Sequence, residues 1–207
     1  MRNWIVHIIG VSSTCKKKRK QTTHMKTSEN TIKTLQTKDV FVDIYTDHFD
    51  ESFYGFVRNF NDDFLLLEHY NDDSFYNGII VFRREDITRI KWDNNDINSA
   101  FKLVTRQENI NELISEINIE SIESIIKSID KTFKHVNLQI QNINSDWSII
   151  GQIQEIDAEI IIIKEFGTKS TLDRGMLMLS TPDITRVDAD GIYENNLLKI
   201  HNENKCC

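Results

Sequence analysis

The pentapeptide Asp86-Ile87-Thr88-Arg89-Ile90 returns 97 residues later as Asp183-Ile184-Thr185-Arg186-Val187. At that offset Gly78 meets Gly175, and Val81-Phe82 meets Met178-Leu179. Upstream, at an offset of 96, Gly55 meets Gly151 and Phe64-Leu65-Leu66-Leu67 meets Ile160-Ile161-Ile162-Ile163. Val40, Val42 and Ile44 meet Val136, Leu138 and Ile140 at the same spacing. One inserted residue before Gly175 reconciles the two offsets. Self-similarity at a fixed spacing is the mark of a repeated structural unit, so the chain reads as an internal duplication.

Each copy reads as strands. Val40 to Ile44 and Val136 to Ile140 alternate with period two, the pattern of a half-buried strand. Gly55 to Phe60 leads through Asn61-Asp62-Asp63, a hairpin turn, into Phe64 to Glu68. The second copy offers Gly151 to Ile156, a turn at Asp157-Ala158, and Glu159 to Lys164. Gly78 to Phe82 and Gly175 to Leu179 form a fourth strand, and Ile87 to Ile90 and Ile184 to Val187 a short fifth. A glycine opening a strand permits a sharp bend because no side chain obstructs the coil. Gly55, Gly78, Gly151 and Gly175 are therefore expected to be structural. Asp86 and Asp183 are expected to cap a turn through backbone N–H groups.

Between the copies the period changes. Ile110, Leu113, Ile114 and Ile117 have helical spacing, as do Ile122, Ile125, Ile126, Ile129 and Phe133. The phase slips near Asn118, which predicts two helices or one with a break, packed over the strands.

A strand, a loop, Gly-x-apolar, a tight acidic turn, an apolar strand and then apolar-apolar-Arg-x-x-Asp-Ile resembles the Sm-like barrel. The first block of that family maps onto Gly55 through Leu67 and the second onto Val81-Phe82-Arg83-Arg84-Glu85-Asp86-Ile87. The resemblance covers residues 40–92 and more weakly 136–190. It implies a mainly β protein with a helical linker (α+β) and two tandem small Sm-like or SH3-like barrels. The units are residues 25–104 and 135–201, joined by a helical linker at 105–134, with a basic extension at 1–24 and a tail at 202–207. The family's RNA-binding pattern is not kept. Asn61 stands where the family has Asp, Phe64 and Leu65 occupy the place of its Asn, and Arg84 replaces its Gly. The second copy has Ser180-Thr181 in place of Arg83-Arg84.

Composition bounds the rest. Ile, Leu, Val and Phe make up 63 of the 207 residues, well above the level of roughly 20% below which chains stay disordered. No apolar run approaches the roughly 20 residues that span a membrane. One Pro, seven Gly and three Cys exclude Pro-rich, Gly-rich and disulfide-scaffold classes. The net charge of −7 is unevenly spread. Residues 1–39 hold nine basic and two acidic side chains, whereas 40–104 hold six and thirteen and 136–201 five and ten.

The run Lys16 to Lys20 follows the apolar stretch Trp4 to Val11, the reverse of a signal peptide. Residues 1–24 are therefore expected to be disordered or not native, with Met25 as the start, and a basic arm is the alternative. Cys206-Cys207 resembles the prenylated pair of Rab-type GTPases, but no phosphate loop is present and the thiols are expected to be incidental.

Catalysis finds little support. His48, His69, His135 and His201 are dispersed, and no Cys/His ligand spacing occurs. Asp188-x-Asp190-Gly191 resembles the start of a calcium loop, but Lys199 falls where the closing Glu belongs. The expectation is a non-enzymatic, soluble, cytoplasmic protein-interaction module without cofactor or metal, either a monomeric pseudo-dimer or a homo-oligomer. Exposed barrel edges and loops such as His69 to Asn77, carrying Tyr70 and Tyr76, are its expected partner surfaces. The alternative is divergent RNA binding through Arg83, Arg84, Arg89 and Lys91, with Phe60, Tyr70 or Tyr76 stacking. The acidic balance of both copies disfavours it.

Overall fold

The computed structural model describes residues 29–145, 147–169 and 174–203; the basic extension at 1–24 and Cys206-Cys207 lie outside them. The chain opens with helix α1 (Glu29–Thr37) and strands β1 (Phe41–Thr46), β2 (Glu51–Phe60), β3 (Phe64–Tyr70), β4 (Tyr76–Arg83) and β5 (Arg89–Lys91). Helices α2 (Asn95–Phe101), α3 (Ile110–Ser115) and α4 (Ile122–Phe133) follow. Strands β6 (Val136–Gln139), β7 (Ser148–Ile156), β8 (Ile160–Glu165), β9 (Met176–Ser180) and β10 (Arg186–Ala189) precede helix α5 (Ile192–Glu203).

The ten strands of the described residues form one open antiparallel sheet in the order β5-β1-β2-β3-β4-β10-β6-β7-β8-β9. The mainly β reading with helices holds, and the strands of the two halves run on into a single open sheet. The reason lies at the middle: the outer edge of β4 is taken by β10, with Phe82 opposite Arg186 and Ile79 opposite Ala189. An unpaired ladder in a buried place would leave N–H and C=O groups without partners, and this pairing satisfies them. Gly78 sits at the join with φ +90°, where a Cβ would strike the Ala189 carbonyl and the backbone of Asp190 and Gly191.

Several local features recur between the halves. Gly55 and Gly151 lie within β2 and β7, where a Cβ would collide with the carbonyl oxygens of Glu68 and Lys164 respectively. A bulge follows in each strand, between Val57 and Asn59 and between Ile153 and Glu155, increasing the local bend. The next hairpin closes the same way in both. Asn61 Oδ1 accepts from the N–H groups of Asp63 and Phe64 at 2.9 and 2.7 Å, and Asp157 Oδ1 from those of Glu159 and Ile160 at 2.8 Å each.

The linker reading is refined by the helices. Ser121 caps α4 by accepting from the Ser124 N–H at 3.1 Å, and Lys134 ends it in the left-handed conformation with φ 64°. The break between α3 and α4 falls where the hydrophobic phase slips. Ile125, Ile126 and Ile129 are fully buried in a core shared with Phe64, Leu66, Ile79 and Val81 of the first half and Val136, Leu138, Ile161, Ile163 and Val187 of the second. Each such side chain contributes roughly 1.5–3 kcal/mol through burial. A second core lies under α1, whose Ile32 and Leu35 meet Val42, Ile44, Leu65, Leu67 and Phe82.

Candidate interaction surfaces

The residues singled out for RNA or partner contact do not assemble into one surface. Arg83 donates from Nε to the Ile184 carbonyl at 2.8 Å, tying the first half to the second. It also lines a cleft of about 350 Å³ with Asp62, Asp63, Glu85 and Glu120, an excess of negative charge unsuited to a phosphate backbone. Arg84 donates to the Asn61 carbonyl at 2.5 Å. Arg89 pairs with Asp47 at 2.6 Å and lies 3.9 Å from the Tyr45 ring centroid, which Lys91 Nζ approaches to 4.4 Å.

Tyr70 is fully buried, and its hydroxyl donates to Glu68 Oε1 at 2.7 Å. It cannot stack on a base as it stands. Tyr76 donates to Asp190 Oδ2 at 2.9 Å across the join between the halves. Burial, with the neighbouring carboxylate in each case, raises both phenol pKa values. Phe60 lies beneath the Arg84 guanidinium at 6.0 Å.

The aspartates of the repeated pentapeptide play a different part from the one expected. The turns are closed by backbone bonds, Ile87 N–H to the Arg84 carbonyl at 3.3 Å and Ile184 N–H to the Thr181 carbonyl at 3.2 Å. The Asp86 carboxylate instead faces His48 Nε2 at 3.2 Å, and Asp183 is exposed. In each turn a backbone N–H–carbonyl pair is already within reach, so no side-chain cap is needed. Gly175 is likewise uncrowded, its nearest neighbour being Glu165 Oε2 at 3.5 Å.

Two buried ionic clusters escaped sequence reading. In the first half Glu68 is fully buried and is held by Arg58, whose Nε donates to Oε2 at 2.5 Å, and by Tyr70. Arg58 and Arg106 both reach Asp39, at 2.8 and 2.5 Å, and Arg106 stacks 3.3 Å from the Phe56 centroid. At the join, Arg186 bridges Glu51 of β2 at 2.6 Å and Asp188 of its own strand at 2.9 Å, and Gln141 donates to Glu51 at 2.5 Å. Burial, reinforced by Glu194 and Glu51, pushes Asp188 up to about 6 against the pull of Arg186. His69 is pushed down to about 4 by burial, opposed by the Asn77 carbonyl. Of the two clusters, the one around Arg186 ties β10 to β2 across the join.

The exposed apolar side chains lie elsewhere. Ser74, in the loop between β3 and β4, donates to the Ala100 carbonyl at 3.1 Å, docking that loop on the end of α2. Around this contact Phe75, Phe101 and Leu103 are 61, 47 and 70% exposed. Phe101 is anchored by ring contacts to Phe41 and Phe56 at 5.8 and 6.1 Å. Within the loop singled out from the sequence, Phe75 presents an apolar face, while Tyr70 is buried and Tyr76 half-buried. A phenylalanine between Asp72-Asp73 and Tyr76, in a segment otherwise polar, was the available signal.

No protein-family model, curated protein or solved structure matches this chain. No helix among the described residues is long and apolar enough to cross a membrane.

Proposed function

We propose that the chain is a non-enzymatic interaction module built by duplication of a small Sm-like unit, docking a protein partner on the patch formed by Phe75, Phe101 and Leu103. The duplication reading is supported by the strand orders β5-β1-β2-β3-β4 and β10-β6-β7-β8-β9, and by the matched glycines, bulges and turns. The observation that carries the docking reading is the exposed Phe75 on a loop braced against the end of α2, where Phe101 and Leu103 are also exposed, with Asp72 and Asp73 in the same loop. Such a patch suits a partner segment with apolar anchors flanked by basic residues.

The test is affinity capture by the full chain, compared with Phe75→Asp and Leu103→Asp variants, alongside titration with fluorescent single-stranded RNA. Loss of a captured protein with both variants, and no RNA binding that weakens with salt, is the expected result. Salt-sensitive RNA binding reduced by Arg83→Ala and Arg84→Ala would instead establish divergent RNA binding, the second reading, which draws on the resemblance to Sm-like proteins.

A further inference from the structure

The two edges of the sheet differ in kind. At one, β5 is three residues long, and Arg89 and Lys91 stand exposed on either side of Ile90. Charged side chains on a short strand are the usual protection of an edge against pairing. At the other, β9 reads Met-Leu-Met-Leu-Ser and carries no charge. Among the described residues no strand pairs with its outer side. The Glu165 N–H bonds the Gly175 carbonyl and the Thr181 N–H the Glu159 carbonyl. With Ile163 opposite Leu177 and Ile161 opposite Leu179, the alternation of an antiparallel ladder turns the backbone groups of Met176, Met178 and Ser180 outward.

The side chains agree with the backbone. Met176, Met178 and Ile160 are 62, 65 and 39% exposed on one face of β8 and β9. Their counterparts at the repeat offsets, Ile79, Val81 and Phe64, are at most 5% exposed. There β10 covers the edge and the isoleucines of α4 cover the face. The apolar character is thus present in both halves, and its cover in one.

We infer that β9 pairs antiparallel with β9 of a second copy of this chain, about a twofold axis through Met178, extending the sheet across a symmetric dimer. In that register Met178 faces Met178 of the other copy, Leu177 faces Leu179 and Met176 faces Ser180, so the outward N–H and C=O groups of three residues per chain are satisfied. No like charges meet across the axis. The first half offers a poorer mate: Arg89 is engaged by Asp47, Lys91 by the Tyr45 hydroxyl at 2.9 Å, and α1 turns the polar Asn30, Lys33 and Thr34 outward. This dimer uses a surface apart from the Phe75 patch and stands independently of the proposed function.

Sedimentation velocity on the full chain across the micromolar range tests it, with Met178→Lys and Met178→Cys, the latter with Cys15, Cys206 and Cys207 changed to Ser. A concentration-dependent species of twice the chain mass is expected, weakened at least about tenfold by Met178→Lys, since two like charges would then meet on the axis. Far-UV circular dichroism should be unaltered, because the replaced side chain is exposed. Mild oxidation of the Met178→Cys chain should yield a disulfide between copies, as paired residues about 5.5 Å apart at Cα permit. A monomer at every concentration, or a dimer indifferent to Met178→Lys, overturns the inference. So does a Met178→Cys, Ile90→Cys chain that cross-links 178 to 90 in a growing series, which would place β5 of the next copy on this edge.

Discussion

Leu66 and Ile162 occupy the same place in the third strand of each half, and Val81 and Met178 the same place in the fourth. Leu66 and Val81 are sealed under α3, α4 and the second half, while Met178 faces outward and Ile162 is only half-buried. Arg89 and Arg186 make a third such pair. The first is a surface cation on Asp47, and the second is enclosed between Glu51 and Asp188 with 9% of its side chain exposed. In each pair the residue types are alike and the neighbours differ. What a side chain contributes is thus set by which element the fold lays beside it.

The sharpest way to break this comparison is at the two arginines. Arg186→Met should cost about 3–5 kcal/mol in urea unfolding, because it leaves Glu51 and Asp188 enclosed without their counter-ion. Arg89→Met should cost less than about 1 kcal/mol, as exposed pairs do. Equal losses would mean that the join is not the stressed element.

Next come the apolar pairs. Leu66→Ala should cost about 3 kcal/mol, within the range for enclosed leucines, whereas Met178→Ala should change the stability of the monomer by less than about 0.5 kcal/mol.

The third strand also ends differently, in Glu68-His69 in the first half and Lys164-Glu165 in the second. His69 titrates near 4 when folded against 6.5 ordinarily. Between those values the unfolded chain binds a proton that the folded chain does not, so stability is lost as the pH falls. His69→Gln should remove about 2 kcal/mol of the loss between pH 7 and 5. Asp188, raised to about 6 by burial, acts in the opposite sense over the same range. Its effect is common to parent and variant, so the difference between the two denaturation series isolates His69.

The smallest effect concerns α4, the helix that covers the first half. Ser121→Ala, removing the hydroxyl that accepts from Ser124, should lower stability by about 1 kcal/mol.

The strands were legible because period-two alternation and apolar runs are local. Val42 and Ile44, Leu65 and Leu67, and their counterparts Leu138 and Ile140, Ile161 and Ile163 all lie in the cores. The hairpin turns were legible because Asn61 and Asp157 act on N–H groups within three residues. The break before α4 followed from the phase of its isoleucines. The terminal helix α5 gave weaker local signals and was missed. The placement of the aromatics in the loop from His69 to Asn77 was not legible: alternation around Tyr70 and Tyr76 does not say which aromatic finds a buried carboxylate and which is left outside.

The sequence by itself determined the repeated strand pattern, the bend at Gly55 and Gly151 and the helical interruption, since each depends on steric and hydrogen-bonding preferences within a few residues. The tertiary structure alone decided that β4 and β10 join two sets of five strands into one sheet. It also decided that Arg186 becomes an enclosed strut while Arg89 stays on the surface, and that one apolar face is covered while its counterpart on β8 and β9 stands open. These outcomes depend on contacts between residues about a hundred positions apart, where burial and the satisfaction of strand edges outweigh any local preference.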